Sequence, residues 1–190
     1  MNKLPFTTYP FLETERLVLR KIDKDKDLAD FFVLRSDAEV MKYIPRPVAT
    51  EHHEVVDLIN AGNEGYERGE MLSLAIVLKE IDTFIGVVGF YRINWENHRT
   101  EIGYILNPLH SGKGYVHEAC NALIKFAFNE VGLNALDAVI EIENKKSMLV
   151  VERLGFIRGA VETEIQSSEN LQDVTEPKKI YTYTLKNPLV

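Results

Sequence analysis

The 190-residue chain is 45% hydrophobic and 27% charged, with seven prolines, a balance that supports a packed core and excludes a wholly disordered polypeptide. Its formal net charge of -7 opposes a broad phosphate-binding face, so no nucleic-acid partner is expected, while amines and basic peptide ends are attracted. One cysteine, Cys120, excludes an intramolecular disulfide. It fits a reducing compartment, and with no apolar run long enough to span a bilayer the expected location is the cytoplasm, away from membranes.

In chain order, Glu15 to Arg20 alternates as a strand, and Asp27 to Leu34 reads as a helix entered through an aspartate-rich cap. The acidic clusters at Asp23, Asp25 and Asp27, and from Glu162 to Glu176, are expected to be solvated surface. Pro45 and Pro47 interrupt the chain before a second helix that runs from the Thr50 region toward Tyr66. Met71 to Leu78, Thr83 to Tyr91 and Thr100 to Leu106 follow as strands, the last ended by Pro108, which has no N–H for a ladder bond. Val116, Ala119, Leu123 and Ala127 share a helical face that closes at Gly132. Ala135 to Ile142 is a strand, Asn144 caps a short helix stopped by Gly155, and Phe156 to Ile165 and Lys179 to Leu185 form a last hairpin. The helical crossover from Leu106 to Ala135 permits parallel pairing. The pattern predicts an α/β fold, a single-domain mixed and mostly antiparallel sheet flanked by helices, with no internal boundary.

The segment with most chemical content runs from Gly103 to Ala119: a strand, a short loop holding Gly112 and Gly114, then a helix. Glycines there let successive amides converge, and the helix adds unsatisfied N–H groups and the positive end of its dipole. A diphosphate suits such a loop, with Lys113 as extra charge. The same glycines also suit a tight entry into a packed helix. Two nucleotide signatures fail: the third glycine of a dinucleotide fingerprint falls at His117, and Lys113 is followed by Gly114 where a Walker A loop has a hydroxyl residue.

Taken together, Glu15 to Arg20, Ile85-Gly86, Glu101-Ile102-Gly103-Tyr104, Gly112-Lys113-Gly114-Tyr115 through Ala119, Asn144-Lys145-Lys146-Ser147 and Leu154-Gly155-Phe156 occur in an order that resembles the Gcn5-related N-acetyltransferase superfamily. The resemblance extends from Pro10 to Lys186, as one N-acetyltransferase domain, and is nearest the branch that includes the ribosomal-protein alanine acetyltransferases. It implies the acyl-CoA N-acyltransferase fold, acetyl-CoA as co-substrate and a primary amine as acceptor. It also implies that the strand before the glycine loop splays from the strand after the next helix. Ile105 and Asn107 would follow the pantetheine arm through backbone groups, Gly112, Lys113, Gly114 and Tyr115 would surround the pyrophosphate, and Asn144 would approach the arm. Leu109 stands where the family commonly has Gln or Arg, and His117 where a small or hydroxyl residue is common.

Two residues are candidates for chemistry. Glu101, at the head of its strand, is placed to take the amine proton directly or through water, or to hold the ammonium; otherwise it is a strand-end charge or a partner for Arg99. Ser147 would support the departing thiolate by the same resemblance, or else simply fills a small polar position beside the Asn144 cap. Tyr181, Tyr183, Tyr104 and Trp95 are read first as packing groups. Cys120 falls on the apolar helical face without an activating partner, and the five histidines have no metal-site spacing, so no metal is expected. A protein N-terminal α-amine, a polyamine and an amino sugar all remain open as acceptors, as does a non-catalytic CoA-binding module. Exposed edge strands are compatible with a homodimer.

Overall fold

A computed structural model describes residues 8–164 and 177–189. Eight strands form one sheet: β1 (Leu12–Glu13), β2 (Leu17–Lys21), β3 (Leu72–Leu78), β4 (Thr83–Asn94), β5 (Arg99–Leu106), β6 (Ala135–Glu141), β7 (Ile157–Glu164) and β8 (Lys178–Lys186). Their order across the sheet is β1-β2-β3-β4-β5-β6-β8-β7. All pairings are antiparallel except β5 with β6. Five α-helices cover the faces: α1 (Leu28–Ser36), α2 (Ala38–Met41), α3 (His52–Glu67), α4 (Tyr115–Phe126) and α5 (Lys145–Arg153).

Strand alternation assigns the side chains to two apolar layers. Leu72, Leu74, Ile76, Ile85, Val88, Phe90 and Ile102 pack with Ala119, Cys120, Leu123 and Val151, which places α4 and α5 on one face. Ala75, Val77, Phe84 and Val87 pack with Phe31, Leu34, Val55 and Ile59, so α1 and α3 lie on the other. α3 begins in a capping box, the Glu54 carboxylate accepting the N–H groups of Glu51 at 3.0 Å and Thr50 at 2.6 Å.

Several boundaries differ from the sequence expectation for identifiable reasons. Asp27 is not solvated: it is 2% exposed and accepts two bonds from the Arg20 guanidinium, at 2.7 and 2.8 Å, plus the Asp23 N–H. A partner seven residues away in sequence, on β2, captures the last member of what reads as a charged turn. β4 runs on to Asn94 because Arg92 adopts a left-handed backbone (φ 52°) and the register with β5 shifts there. α2 is a single turn capped by the Asp37 carboxylate, which accepts from Glu39 and Val40. α4 widens into a π turn, Ala127–Val131, before Gly132 ends it at φ 76°. β8 inserts between β6 and β7, so the last strand is interior to the sheet. The loop expected from Gln166 to Thr175, with most of the second acidic cluster, lies outside the described residues.

Candidate functional site

β5 and β6 pair for only three residues, Arg99 with Ala135, Thr100 with Leu136 and Glu101 with Asp137. Beyond them β5 continues to Leu106 against β4, while β6 continues to Glu141 against β8. The two middle strands therefore part, and a wedge opens in the sheet immediately after Glu101.

Backbone alternation decides which groups line that wedge. The Asn107 N–H donates to the Ile85 carbonyl at 2.8 Å, so Asn107 faces β4. Peptide groups two residues apart on a strand point the same way, so Ile105 and Gly103 also face β4. The peptide groups turned to the wedge are those of Tyr104 and Leu106. The Asn107 N–H, expected beside the arm, is thus used within the sheet, and Ile105 shares its parity. The Asn107 carbonyl also accepts from His110, and its side chain accepts from the Leu109 N–H.

At the wide end of the wedge, a 3₁₀ turn (Pro108–His110) leads into the glycine loop. Gly112 and Gly114 have φ of 77° and 80°, a left-handed backbone that side-chained residues enter at a cost of roughly 1–2 kcal/mol. The first α4 amide with a helical acceptor is that of Glu118, bonded to the Gly114 carbonyl at 3.0 Å. Gly114 provides no side-chain cap. The N–H groups of Tyr115, Val116 and His117 thus have no intrahelical acceptor, and the helix dipole adds to them. Leu109 is 80% exposed beside this loop, and Lys113 is exposed within it.

The loop is fastened from β2. The Arg16 guanidinium donates to the Lys113 carbonyl at 2.9 Å and to the Glu118 carboxylate at 2.7 Å, and stacks 4.6 Å above the Tyr115 ring. Glu118 also accepts the Arg16 N–H at 2.9 Å and the Thr14 hydroxyl at 2.6 Å. Burial raises the Glu118 pKa, but the bonds from Thr14 and Arg16 outweigh it and hold the carboxyl below its usual value. An open cleft of about 520 Å³, lined by Arg16, Gly114, His117, Asn121 and Arg153 among others, adjoins the clamp.

The candidate groups divide between the two faces of β5. The Asn144 side chain caps α5 by accepting the Ser147 N–H at 3.2 Å, and the half-buried Tyr104 phenol donates to the Ser147 carbonyl at 3.3 Å. Asn144, Ser147 and Tyr104 are therefore gathered on the α4–α5 face. Burial pushes the Tyr104 phenol up, keeping it protonated and a donor. Glu101 lies on the opposite face, with Tyr91 directly across the ladder. Its carboxylate is held by Arg92 at 2.8 and 2.9 Å, whereas Arg99 pairs with Asp137 instead. A cleft of about 330 Å³ opens over Arg92, Arg99, Glu101 and Asp137. Arg92 is the neighbour that sequence reasoning left unassigned, because the bulge that aims it has no motif; Tyr104, read first as a packing group, carries a further signal only in its strand parity with the wedge.

The remaining expectations are readily located. Tyr183 is fully buried and donates to Glu152 at 3.0 Å, while the Trp95 indole N–H donates to the Gly69 carbonyl at 2.7 Å. Both are packing anchors. Cys120 is buried, and burial pushes its thiol up, so it is poorly suited to be a nucleophile. Among the described residues, no three His, Cys, Asp or Glu side chains are grouped to hold a metal, and no helix is long and apolar enough to cross a membrane.

Comparison with known proteins agrees with this geometry. The Acetyltransferase (GNAT) domain family matches residues 16–157. The uncharacterized N-acetyltransferase p20 of Bacillus licheniformis is 39% identical over 147 residues, 76% of this chain and 81% of that protein. A ribosomal-protein-serine acetyltransferase of Escherichia coli is 32% identical over 61% of this chain and 62% of its own. Among solved structures, a GNAT-family acetyltransferase from Bacillus anthracis superposes with a TM-score of 0.79 at 28% identity, covering 94% of this chain and 99% of that one. The split sheet, the left-handed glycine loop and these relatives converge: the chain belongs to the GNAT family and is an acetyl-CoA-dependent N-acetyltransferase.

Proposed function

We propose that the enzyme acetylates a primary amine presented at Glu101, with a protein N-terminal α-amine as the acceptor class. The observation that carries this reading is the wedge that opens beside Glu101 and ends at the glycine loop. From Glu101 to Leu106 the strand advances five residues, about 17 Å, the reach of an extended pantetheine arm. The diphosphate would sit on the orphan amides of Tyr115, Val116 and His117, with Gly112 and Gly114 permitting the backbone approach and Lys113 adding charge. The arm would bond the peptide groups of Tyr104 and Leu106, and Asn144 would bound it from α5.

With the thioester in the wedge, the two faces of β5 supply different help. On the Glu101 face, the carboxylate holds the ammonium and removes its proton, directly or through one water, so that the nitrogen lone pair attacks the acetyl carbon. The C–N bond forms and the C–S bond breaks. On the other face, the Ser147 hydroxyl is placed to donate a hydrogen bond to the thiolate as it leaves, while the Tyr104 phenol holds the Ser147 carbonyl. Positioning two good reactants in one passage provides much of the acceleration. The ribosomal-protein-serine acetyltransferase among the relatives supports a protein acceptor.

Incubation with acetyl-CoA and libraries of peptides and small amines, read by mass spectrometry, tests the proposal. The expected result is an acetyl increment on peptide α-amines with matching CoA release. Acetyl-CoA binding with no acceptor-dependent release would instead support a non-catalytic module.

A further inference from the structure

Arg35, in the last turn of α1, is 6% exposed. A guanidinium withdrawn from water is ordinarily matched by a carboxylate, because an unpaired buried charge is expensive. Arg35 forms no ion pair among the described residues. One terminal nitrogen meets the Met41 Sδ at 3.0 Å, the other donates to the Pro47 carbonyl at 3.1 Å, and the buried Nε has no acceptor. The contrast with half-buried Arg20, paired with buried Asp27, shows that this fold does match a partly withdrawn arginine elsewhere.

A second guanidinium makes the imbalance larger. Arg46 precedes Pro47 in the exposed loop that covers Arg35, and it too has no ion pair among the described residues. Burial first, then the charge of Arg46, disfavours the charged form of Arg35. Glu54 is the acid within electrostatic range, but one of its oxygens serves the Thr50 and Glu51 amides at the start of α3. Two like charges thus share a partly dry corner of a protein whose net charge is -7.

That corner lies on the Glu101 side of the sheet. Both guanidiniums act on the phenol of Tyr91, the β4 residue directly across from Glu101. The Tyr91 ring extends over Gly103, where an added Cβ would lie 2.9 Å from Cε2. The unbalanced positive charge is therefore on the same face of the sheet as the carboxylate that receives the amine.

We propose that Arg35 and Arg46 seat an anionic group, a carboxylate or a phosphoryl group, carried by the acceptor whose amine is held at Glu101. The position of the amine rests on the acetyl-transfer reading; the anion seat rests on the arginine pair. A guanidinium offers a planar fork that matches either anion in two bonds. An acceptor carrying both charges would be balanced at both ends, its ammonium against Glu101 and its anion against the arginines. A polyamine would bring more positive charge to the same corner. Arg46, at the surface, would meet the anion first, and Arg35 would close on it through the Nε now left without an acceptor.

The test compares matched acceptors: free amino acids with their amides, aminoalkyl phosphates with the corresponding amino alcohols, and peptides with an acidic or an amide second residue. In wild type, the anion-bearing member of at least one pair should exceed its neutral partner by about tenfold or more in kcat/KM, and the successful pair identifies the source. Arg46→Gln, a change at an exposed position, should collapse that ratio. A preference for neutral partners or polyamines, or a ratio that survives Arg46→Gln, would overturn the proposal. A second readout does not need turnover: in CoA-saturated protein, titration with inorganic phosphate or acetate should shift the Arg35 Nε–Hε resonance saturably, and Arg46→Gln should weaken the effect. No saturable shift would count against the seat. A shift with no acetylation of any amine would leave the seat standing and sink the transfer reading alone.

Discussion

At the residue scale, the informative groups are those whose partners are settled by the fold. Ser147 combines a half-buried position, an N–H used by the Asn144 cap and a carbonyl used by Tyr104, which leaves its hydroxyl available for the proposed thiolate role. Ser147→Ala should lower kcat by about tenfold, the worth of one hydrogen bond to a developing charge, while KM for acetyl-CoA changes little; an unchanged kcat would remove Ser147 from the thiolate role. Glu118 makes a pH prediction. Its folded pKa is lowered from 4.5, so its contribution to stability is present above that value and is lost as pH falls through the folded value. Glu118→Gln should therefore cost about 1–2 kcal/mol at neutral pH, with the gap to wild type narrowing below about pH 4.5 in urea unfolding. A gap independent of pH would mean that the charge of Glu118 is immaterial. Asp27 shows what sequence cannot convey: Asp23, Asp25 and Asp27 look equivalent in the chain, yet only contact with Arg20 on β2 separates the buried member from its neighbours. Glu101 was legible as a strand-end carboxylate, but its arginine was not, because Arg92 is brought to it by a left-handed residue inside a bulge.

At the element scale, the loop and the wedge make separate demands. Gly114→Val would force a β-branched residue to φ 80° at the entrance to α4, so acetyl-CoA affinity should fall by about tenfold or more in a protein that keeps its circular dichroism spectrum. Unaltered affinity by calorimetry would show that the loop backbone does not meet the diphosphate. The wedge predicts a pattern in amide exchange. Gly103 and Ile105 point their N–H groups into the β4 ladder and should be protected with or without ligand. Tyr104 and Leu106 point theirs into the gap and should exchange readily until acetyl-CoA slows them; equal protection of all four in the free protein would contradict the strand parity. The glycine loop, the helix behind it and the α5 cap were readable from residue type and spacing, since left-handed turns and caps are local. Which peptide groups of β5 are free was not readable, because parity is fixed by the bond from Asn107 to Ile85, a contact between strands.

For the whole molecule, the order of strands in sequence predicts the helical crossover and the parallel pair, and the short β5–β6 register supplies the opening between them. What the sequence leaves open is the position of β8, since two strands joined in a hairpin can meet a sheet by either member. In the structure it is β8, not β7, that bonds β6, along Ala135 to Glu141. β6 is the far wall of the passage, and its outer edge is completed by a segment that follows every other described element. During synthesis, the near wall of the passage and its glycine loop emerge first, while the far wall waits with one side unsatisfied until residues 178–186 arrive. A nascent chain can thus present the glycine loop before it owns a two-sided channel, and the channel closes only once β8 has emerged.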